Sequence, residues 1–574
     1  MLCGQHLGNL PAYVHSSMEI SSGYQDAMGL SCPPAQLHLA LAVAGLLVAY
    51  LVLNLIAAVD RVRGLALFLA ASAYLYLNWK HGYIRADGHQ IGFYYAALTI
   101  IVGPPLLLDD GVRLRLPKHL LLAAAGLVSL VGIETVLPGL ARGILGIASS
   151  AIERNVQFAL HPGEAHATYD AAFRGAADRA KMARTSDEVG RATLDVLGFE
   201  QGVALFNGFN YQPRPVFQSY SAYTPYLSRL NRDYYASDRA PEYALFKLQT
   251  LDGRLATMDD PHVLRLLVQR YTYRFSDQGF TVWKRKPGPF HAADFEPKPI
   301  RTVAAKLGDK IDVADLADRN LWVAIDYHFS LSGQLRRFLF KPVLVQLRVV
   351  DDKGETSLYR LPQPIAATGF MLNPVVNDLV EFMRAAGSEP GRRVKAIAVE
   401  VAPEDRAYVG DKIRVMLSAL PPSDAGKSYF QTVDRAKFHM FMDTPISYEA
   451  LNPPNEDIID DRRVMVMHAP SQMVFQVPAG ATTIDGAYGF VAGAYSNGGK
   501  TNGAEFVITY TDGNDSVILL ERYMAPVTNP NDRGLQKFSL KLPKGAGRVT
   551  LQVKPGLYGE YAFDWTGWTG IEFK

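Results

Sequence analysis

Cysteine is nearly absent from this chain: Cys3 and Cys32 are the only two in 574 residues. That excludes a disulfide framework and leaves no CxxC pair or zinc spacing. A single Cys3–Cys32 bond in an oxidising compartment is the most that the pair permits. Charge of one sign is also lacking. A net charge of +2 gives no reason to expect nucleic acid as a partner. There is no P-loop, no dinucleotide fingerprint after a strand, no GxSxG and no HExxH, and the scattered His and Asp residues form no triad that spacing defends. No residue set is therefore assigned catalysis. The first 34 residues contain neither Lys nor Arg. Without a basic start and a short apolar run before a small-residue site, they are not a cleavable signal peptide; they read as an exported tail, as found in the interior of a longer membrane protein.

What the chain does have is four apolar segments in its first 140 residues, at 37–59, 65–79, 91–108 and 120–140. A bilayer core needs about 20 apolar residues in a helix. The first and last segments reach that length, and the middle pair recruits Val62, Tyr83 or Gln90 at the interface. Trp79, Tyr83, Tyr94 and Tyr95 cluster near one face, as an aromatic belt does. Arg61 and Arg63 follow the first segment, and Arg113, Arg115 and Lys118 follow the third. The opposite side has only Lys80 and Arg85. The basic side is expected in the cytoplasm, which places both termini and everything after residue 140 outside it, with the lipid bilayer as first partner.

The rest reads as soluble and rich in strands. Over 150–290, helical stretches (169–184, 187–197, 224–235, 261–271) alternate with strands (203–207, 216–220, 243–248, 280–285), a small α/β layer domain. Pro225 and Pro261 open their helices, where a missing N–H costs nothing. From 295 to 425, strands at 321–327, 343–350, 394–401 and 412–417 surround one helix at 377–386. Val343, Val345, Leu347 and Val349 alternate with Gln346 and Arg348, the period of a half-buried strand, and a β-sandwich is expected. Residues 426–470 are Pro- and Asp-rich and read as a connector. From 471 to 574, alternating strands such as 505–511 are punctuated by Gly, Asn and Asp turns, as in a jelly roll. The fold class expected is α+β and multidomain: a tail (1–34), a four-helix transmembrane region (35–148), an α/β domain and two sandwiches.

Three stretches carry a resemblance: WKHGYIRADGH at 79–89, NGFNYQPRPVFQSYSAYTPYL at 207–227 and GFMLNP at 369–374. Together they resemble uncharacterised bacterial multi-spanning membrane proteins likened to GT-C-type glycosyltransferases, over about residues 1–420. The resemblance implies a bacterial inner-membrane location and the carboxy-terminal part of such an architecture, because the family's catalytic carboxylate lies in an early loop with no counterpart in this chain. VPAG at 477–480, GAYG at 486–489 and FDWTGW at 563–568 resemble carbohydrate-binding modules of the NPCBM type, which implies glycan contact.

Candidate sites follow. Lys80, His81, Arg85, Asp87 and His89 lie within ten residues at the outer face; cations there suit the phosphate of a lipid-linked sugar, and Asp87 or a His can move a proton. Glu134 is a carboxylate near the outer end of the fourth segment. Tyr211, Arg214, Gln218 and Tyr220, in a Pro-shaped stretch with Phe217, Tyr223 and Tyr226, suit a sugar or headgroup by stacking and hydrogen bonding; strand aromatics filling a core are the alternative. In the last domain Tyr488, Tyr495, Tyr558, Tyr561, Trp565 and Trp568 form a candidate sugar platform, although strand alternation turns about half of such residues inward. Asp512, Asn514, Asp515 and Asp564 offer weak calcium ligands, turn formation being the stronger reading; no other cofactor is expected. The function expected is binding or positioning of a lipid-linked or polymeric saccharide in envelope polysaccharide or glycolipid assembly. The alternatives are a membrane glycosyltransferase completed by a partner subunit and a structural envelope protein.

Overall fold

The computed structural model describes residues 6–107, 115–388, 391–423, 425, 438–450, 452, 454–496, 498–512, 515–543, 547–556 and 561–574. Its helical N-terminal region starts with α1 (Leu10–Met28), so the expected tail is largely a helix. Four helices follow: α2 (Pro34–Ala57), α3 (Arg61–Ile84), α4 (Gln90–Leu107) and α5 (Arg115–Val136). Pro34 begins α2 where its missing N–H is harmless, and the Asp60 carboxylate caps α3 by accepting from the amides of Val62 and Arg63. The four helices pack through Ala40, Val43, Leu47, Leu75, Phe93, Ala97 and Ala125. Two of them, α2 and α5, are long and apolar enough to cross a membrane. α3 carries Arg61 and Arg63 at one end and Lys80 and His81 at the other, and the apolar part of α4 is shorter, Gln90–Gly103.

α1 turns away from this bundle and docks on the later domains. Tyr223 donates its hydroxyl to Ile20 O, Thr224 Oγ1 bonds Glu19 Oε2 at 2.8 Å, and Arg360 donates to Asp26 O at 2.8 Å. The residues read as an exported tail are thus structural.

The α/β layer is a five-stranded sheet in the order Asn210–Tyr211, Thr193–Leu197, Tyr243–Phe246, Phe280–Arg285, Tyr271–Asp277. The first three strands are parallel and the last two antiparallel. Two expected strands are absent. Residues 203–206 lie in a short helix, Gly202–Phe206, which Asn207 caps. Val216 is held by the Asn231 amide, which accepts from its N–H at 2.8 Å and donates to its carbonyl at 2.9 Å, replacing a strand neighbour. The helix expected over 187–197 is divided: Ala183–Val189 stops at Gly190, whose φ of 55° favours glycine, and Thr193–Leu197 is a buried strand.

Two β-sandwiches complete the α+β architecture. The first packs the sheet Thr356–Arg360, Val345–Asp351, Val394–Val401, Ile311–Asp312 on the sheet Phe370–Asn373, Leu321–Asp326, Lys412–Ala419, Lys298–Lys306. Val345, Leu347 and Val349 point into its core, as their alternation predicts. The second pairs two five-stranded sheets. Three of its strands, Ser447–Ala450, Asn455–Ile459 and Arg462–Val466, come from the stretch read as a connector. The Asp residues there make turns: Asp460 and Asp461, at φ 48° and 60°, join two paired strands as a two-residue hairpin loop.

Candidate functional site

The segment 80–89 that sequence reasoning singled out is a clamp. Lys80 donates to Gln25 Oε1 at 2.8 Å and to the carbonyls of Arg337 and Phe340 at 2.9 and 2.6 Å, all three on segments outside the bundle. Arg85 bonds Asp87 at 3.0 Å and Asp252 at 2.8 Å. Asp252 and Gly253, at φ 54° and 69°, form the turn that offers that carboxylate. Asp87 also accepts from the ring of His89, and the His89 and His81 rings meet edge to face at 5.4 Å. Asp87 is held below the usual carboxylate range: burial opposes this, and the His89 hydrogen bonds and Arg85 outweigh it. Glu134 accepts from the amide of Gly139 at 2.6 Å and so closes the turn after α5.

Arg214 is a core residue and not a surface ligand. Its side chain is fully buried and donates to Asp260 at 2.9 Å, Asp195 at 2.9 Å, Val196 O at 2.9 Å and Ser219 Oγ at 2.8 Å. Tyr235 donates to the same Asp195 oxygen at 2.9 Å. Tyr211 is half-buried, and burial pushes its hydroxyl to about 12. Tyr220 donates to Gln218 Oε1 at 2.8 Å and meets Phe199 edge to face. Within 210–226, Arg214, Val216, Ala222, Tyr223 and Thr224 are buried, Tyr211, Gln218, Tyr220 and Tyr226 are partly buried, and Phe217 is 50% exposed.

The candidate sugar platform of the last domain divides between core and surface. Tyr488 and Trp568 are buried and pack on Phe506 and Phe538, because neighbouring strands turn both inward. Tyr561 packs toward the core of the α/β layer. Tyr558 and Asn514 lie outside the described residues, as does the side chain of Asp515. Half-buried Trp565, Phe563 at 5.8 Å from it and His468 at 6.2 Å remain as a surface group, with Tyr495 beneath Arg533. Asp512 is exposed. Asp564 is buried and accepts from Thr501, the turn role. Among the described residues no three His, Cys, Asp or Glu side chains gather as a metal site.

A site that sequence reasoning missed lies where the helices meet the first sandwich. A cavity of about 690 Å³ is bounded by the α1–α2 connection, the start of α2 and one edge of the sandwich. Its apolar wall includes Leu37, Phe329, Phe340, Leu344 and Leu358; its polar wall includes Asp26, Arg336, Lys341 and Arg360. Tyr327 forms the floor, donating to Leu361 O at 2.7 Å. Three of the surrounding carboxylates have cations of their own: Asp26 has Arg337 at 2.5 Å, Asp252 has Arg85, and Asp405 has Arg336 at 3.1 Å.

Two cations of the cavity wall have no hydrogen-bonded carboxylate among the described residues. Lys341, 8% exposed, donates among the described residues to the carbonyl of Leu30. Arg360, its side chain 11% exposed, donates to Asp26 O and approaches Asp252 at 3.8 Å, while its Nη1 has no hydrogen-bond acceptor among the described residues. A buried cation without a carboxylate is costly. Burial, reinforced by Arg336 and Arg360 and opposed by Cys32, lowers Lys341 to about 8, and burial with Arg254 lowers Arg360 to about 10. An anion placed between them reverses both effects. Cys32 lines the same cavity as a free thiol raised by burial; Cys3 lies outside the described residues. The only trace of the site in the sequence is Lys341, wedged between Phe340 and Pro342 with little room to reach water.

No protein-family model matches the chain, and no curated protein matches it. Among solved structures it is similar to the CBM51-2 and INT domains of Clostridium perfringens ZmpB, at 17% identity over 22% of this chain and 27% of that chain, with a TM-score of 0.17. It is similar to a CBM51 of Clostridium perfringens GH95 in complex with methyl-galactose, at 12% identity, 23% and 94% coverage and a TM-score of 0.17. Tandem CBM51 modules of a family 98 glycoside hydrolase from Streptococcus pneumoniae match at 10% identity, 47% and 83% coverage and a TM-score of 0.16. The chain thus spans about a quarter of the first of these, and at such TM-scores the likenesses carry no argument.

Proposed function

We propose that this is an integral membrane protein whose cavity, at the outward ends of its helices, holds the phosphate-bearing headgroup of a lipid-linked saccharide, so that the domains beyond the membrane position the glycan during envelope polysaccharide or glycolipid assembly. The observation that carries it is the pair Lys341 and Arg360, buried with no hydrogen-bonded carboxylate among the described residues, on the wall of a cavity whose other side is apolar. An amphiphile with a phosphate between lipid and sugar matches both walls. Membrane integration is supported by the apolar side chains that the bundle turns outward, among them Val48, Val52 and Ile56 on α2 and Leu127, Leu130 and Val131 on α5. Both termini and the large C-terminal region then lie outside the cytoplasm, and transfer chemistry falls to a partner membrane glycosyltransferase.

The test is binding of a polyprenyl phosphate and of the matching neutral polyprenol to the full chain in nanodiscs. Hydrogen bonds to charged groups contribute about 1.5–3 kcal/mol each. The phosphate should therefore bind at least tenfold more tightly than the alcohol, and Lys341→Met with Arg360→Gln should abolish the difference. Equal binding of phosphate and alcohol by the unmodified chain would refute the reading.

A second reading, direct glycan contact by the last sandwich, is favoured by one observation. Phe563 is 38% exposed at a φ of 63°, a conformation disfavoured for a bulky residue, and it stands beside Trp565 and His468. A glycan array probed with the full chain tests it; loss of all signal in Trp565→Ala supports contact there, and an unchanged pattern refutes it.

A further inference from the structure

We propose that the helix Leu331–Leu339 lies in the plane of the outward-facing lipid leaflet, with its apolar face immersed in lipid. This rests on the membrane reading above and adds to it a surface that the four bundle helices do not supply.

The helix presents Leu331, Leu335, Phe338 and Leu339 at positions i, i+4, i+7 and i+8, a single face. These side chains are 87%, 59%, 64% and 52% exposed, and Leu344 continues the patch just beyond. The opposite face is fixed to the protein. Ser330 caps the helix by accepting from Gly333 N at 3.1 Å, Arg336 pairs with Asp405 and Arg337 with Asp26. Gly333 is pressed so tightly on the backbone that a Cβ would come 2.0 Å from Tyr408 O. The apolar face therefore cannot roll inward: the side that touches the sandwich has room for no side chain at its centre.

The depth of the helix is set by α3. Tyr76, Trp79 and Lys80 donate in turn to the carbonyls of Phe338, Leu339 and Phe340, at 2.6, 2.9 and 2.6 Å. Tyr76 precedes Ile84, the end of α3, by eight residues, about 12 Å along the axis at 1.5 Å per residue. The C-terminal turn of the helix thus lies at the level of the interfacial aromatics, about where an in-plane helix buries its apolar face 5–10 Å into the headgroup boundary. The patch meets α3 through the Tyr76 ring, 5.7 Å from that of Phe338, and α3 carries exposed apolar side chains of its own on either side of Tyr76 in sequence, Leu69 and Leu77 at 58% and 64%. Lipid is the occupant that this junction selects, because lipid that surrounds α3 at Tyr76 also meets Phe338 beside it. Arg336, Phe340 and Lys341 line the cavity, so immersing this helix brings the cavity mouth to headgroup height.

The experiment uses the full chain in nanodiscs, with Cys3 and Cys32 replaced by Ser and an environment-sensitive fluorophore attached through Leu335→Cys, Leu331→Cys or, as a reference within α2, Val48→Cys. Lipids carrying a nitroxide near the headgroup should quench the probes at 335 and 331 strongly, and the probe at 48 should respond more to a nitroxide deep in the acyl chain. Unquenched probes at 335 and 331 beside a quenched probe at 48 would overturn the proposal while leaving the membrane reading intact. A blue-shifted but unquenched probe at 335 would mean protein contact and would overturn it equally. An unquenched probe at 48 would remove the membrane reading and this proposal with it.

Discussion

Replacing Arg214 by Met separates a structural role from a ligand-binding one. Met retains most of the buried volume and removes the charge. Asp195 then keeps only Tyr235 and the Val196 amide, and Asp260 keeps Asn231 at 2.8 Å. Removing one partner of a buried ion pair costs about 3–5 kcal/mol, and here one cation serves two carboxylates. The loss should have a pH signature of definite sign. Without Arg214 both carboxyls hold protons more tightly in the folded chain than in the unfolded one, so folding takes up protons and stability falls as pH rises above the usual carboxylate range. Arg214→Met should therefore be most destabilised at pH 8 and should recover towards pH 5. Hydrogen exchange of the strand Thr193–Leu197, followed by mass spectrometry on the full chain, reads this locally. At about 1.4 kcal/mol per tenfold, exchange should accelerate roughly a hundred- to several-thousand-fold at pH 8. Unchanged protection at pH 8, together with lost glycan or lipid binding, would refute the core assignment and restore Arg214 to a binding surface.

Four further outcomes are expected. Glu449, buried with burial outweighing Arg384, has a carboxyl raised from 4.5 to about 8; the folded chain keeps that proton through a window in which the unfolded chain has lost it, so stability falls by up to about 1.4 kcal/mol per pH unit across the window, and Glu449→Gln should flatten the thermal-melt dependence between pH 5 and 8. Phosphate-lipid binding at the cavity should weaken as pH rises past about 8, where Lys341 loses its charge, and Lys341→Arg should move that fall to higher pH in the same nanodisc assay. Asp252→Asn should release the outer loop, with roughly 1–3 kcal/mol less protection of residues 85–90 against hydrogen exchange, because the Arg85 bond to a carboxylate that is 9% exposed is lost. Trp568→Ala should destabilise the last sandwich by about 3–5 kcal/mol, whereas Trp565→Ala, half-buried, should leave its melting nearly unchanged.

Legibility in the sequence followed the range of the interaction that decided each feature. The strand Val345–Asp351 and the helix Pro225–Ala236 occur where alternation and a Thr-Pro start put them, because burial of one face and a cap are local matters. The expected strand at 216–220 failed on a contact with Asn231, fifteen residues away and indistinguishable in sequence from any other polar residue. The aromatics of 207–227 and of the last domain were legible as aromatics and not as inward or outward. A strand turns alternate residues to opposite faces, and which face is covered depends on a second sheet. Tyr488 and Trp568 therefore entered the core while Trp565 stayed at its edge.

The cavity lies at the far end of that scale. Asp26, Lys341 and Arg360 stand more than 300 residues apart at the extremes, and none belongs to a motif. Each becomes informative only when its carboxylate or its lack of one is known. The loop 80–89 was legible because its charges are adjacent in sequence, yet adjacency made them partners of one another: Arg85 and Asp87 bond directly, and Asp87 holds His89. Charges that neutralise each other locally are poor candidates for a ligand and good candidates for a joint. The cations best placed to meet an anion are Lys341 and Arg360, which folding leaves with no hydrogen-bonded carboxylate among the described residues, at the seam that the loop clamps shut.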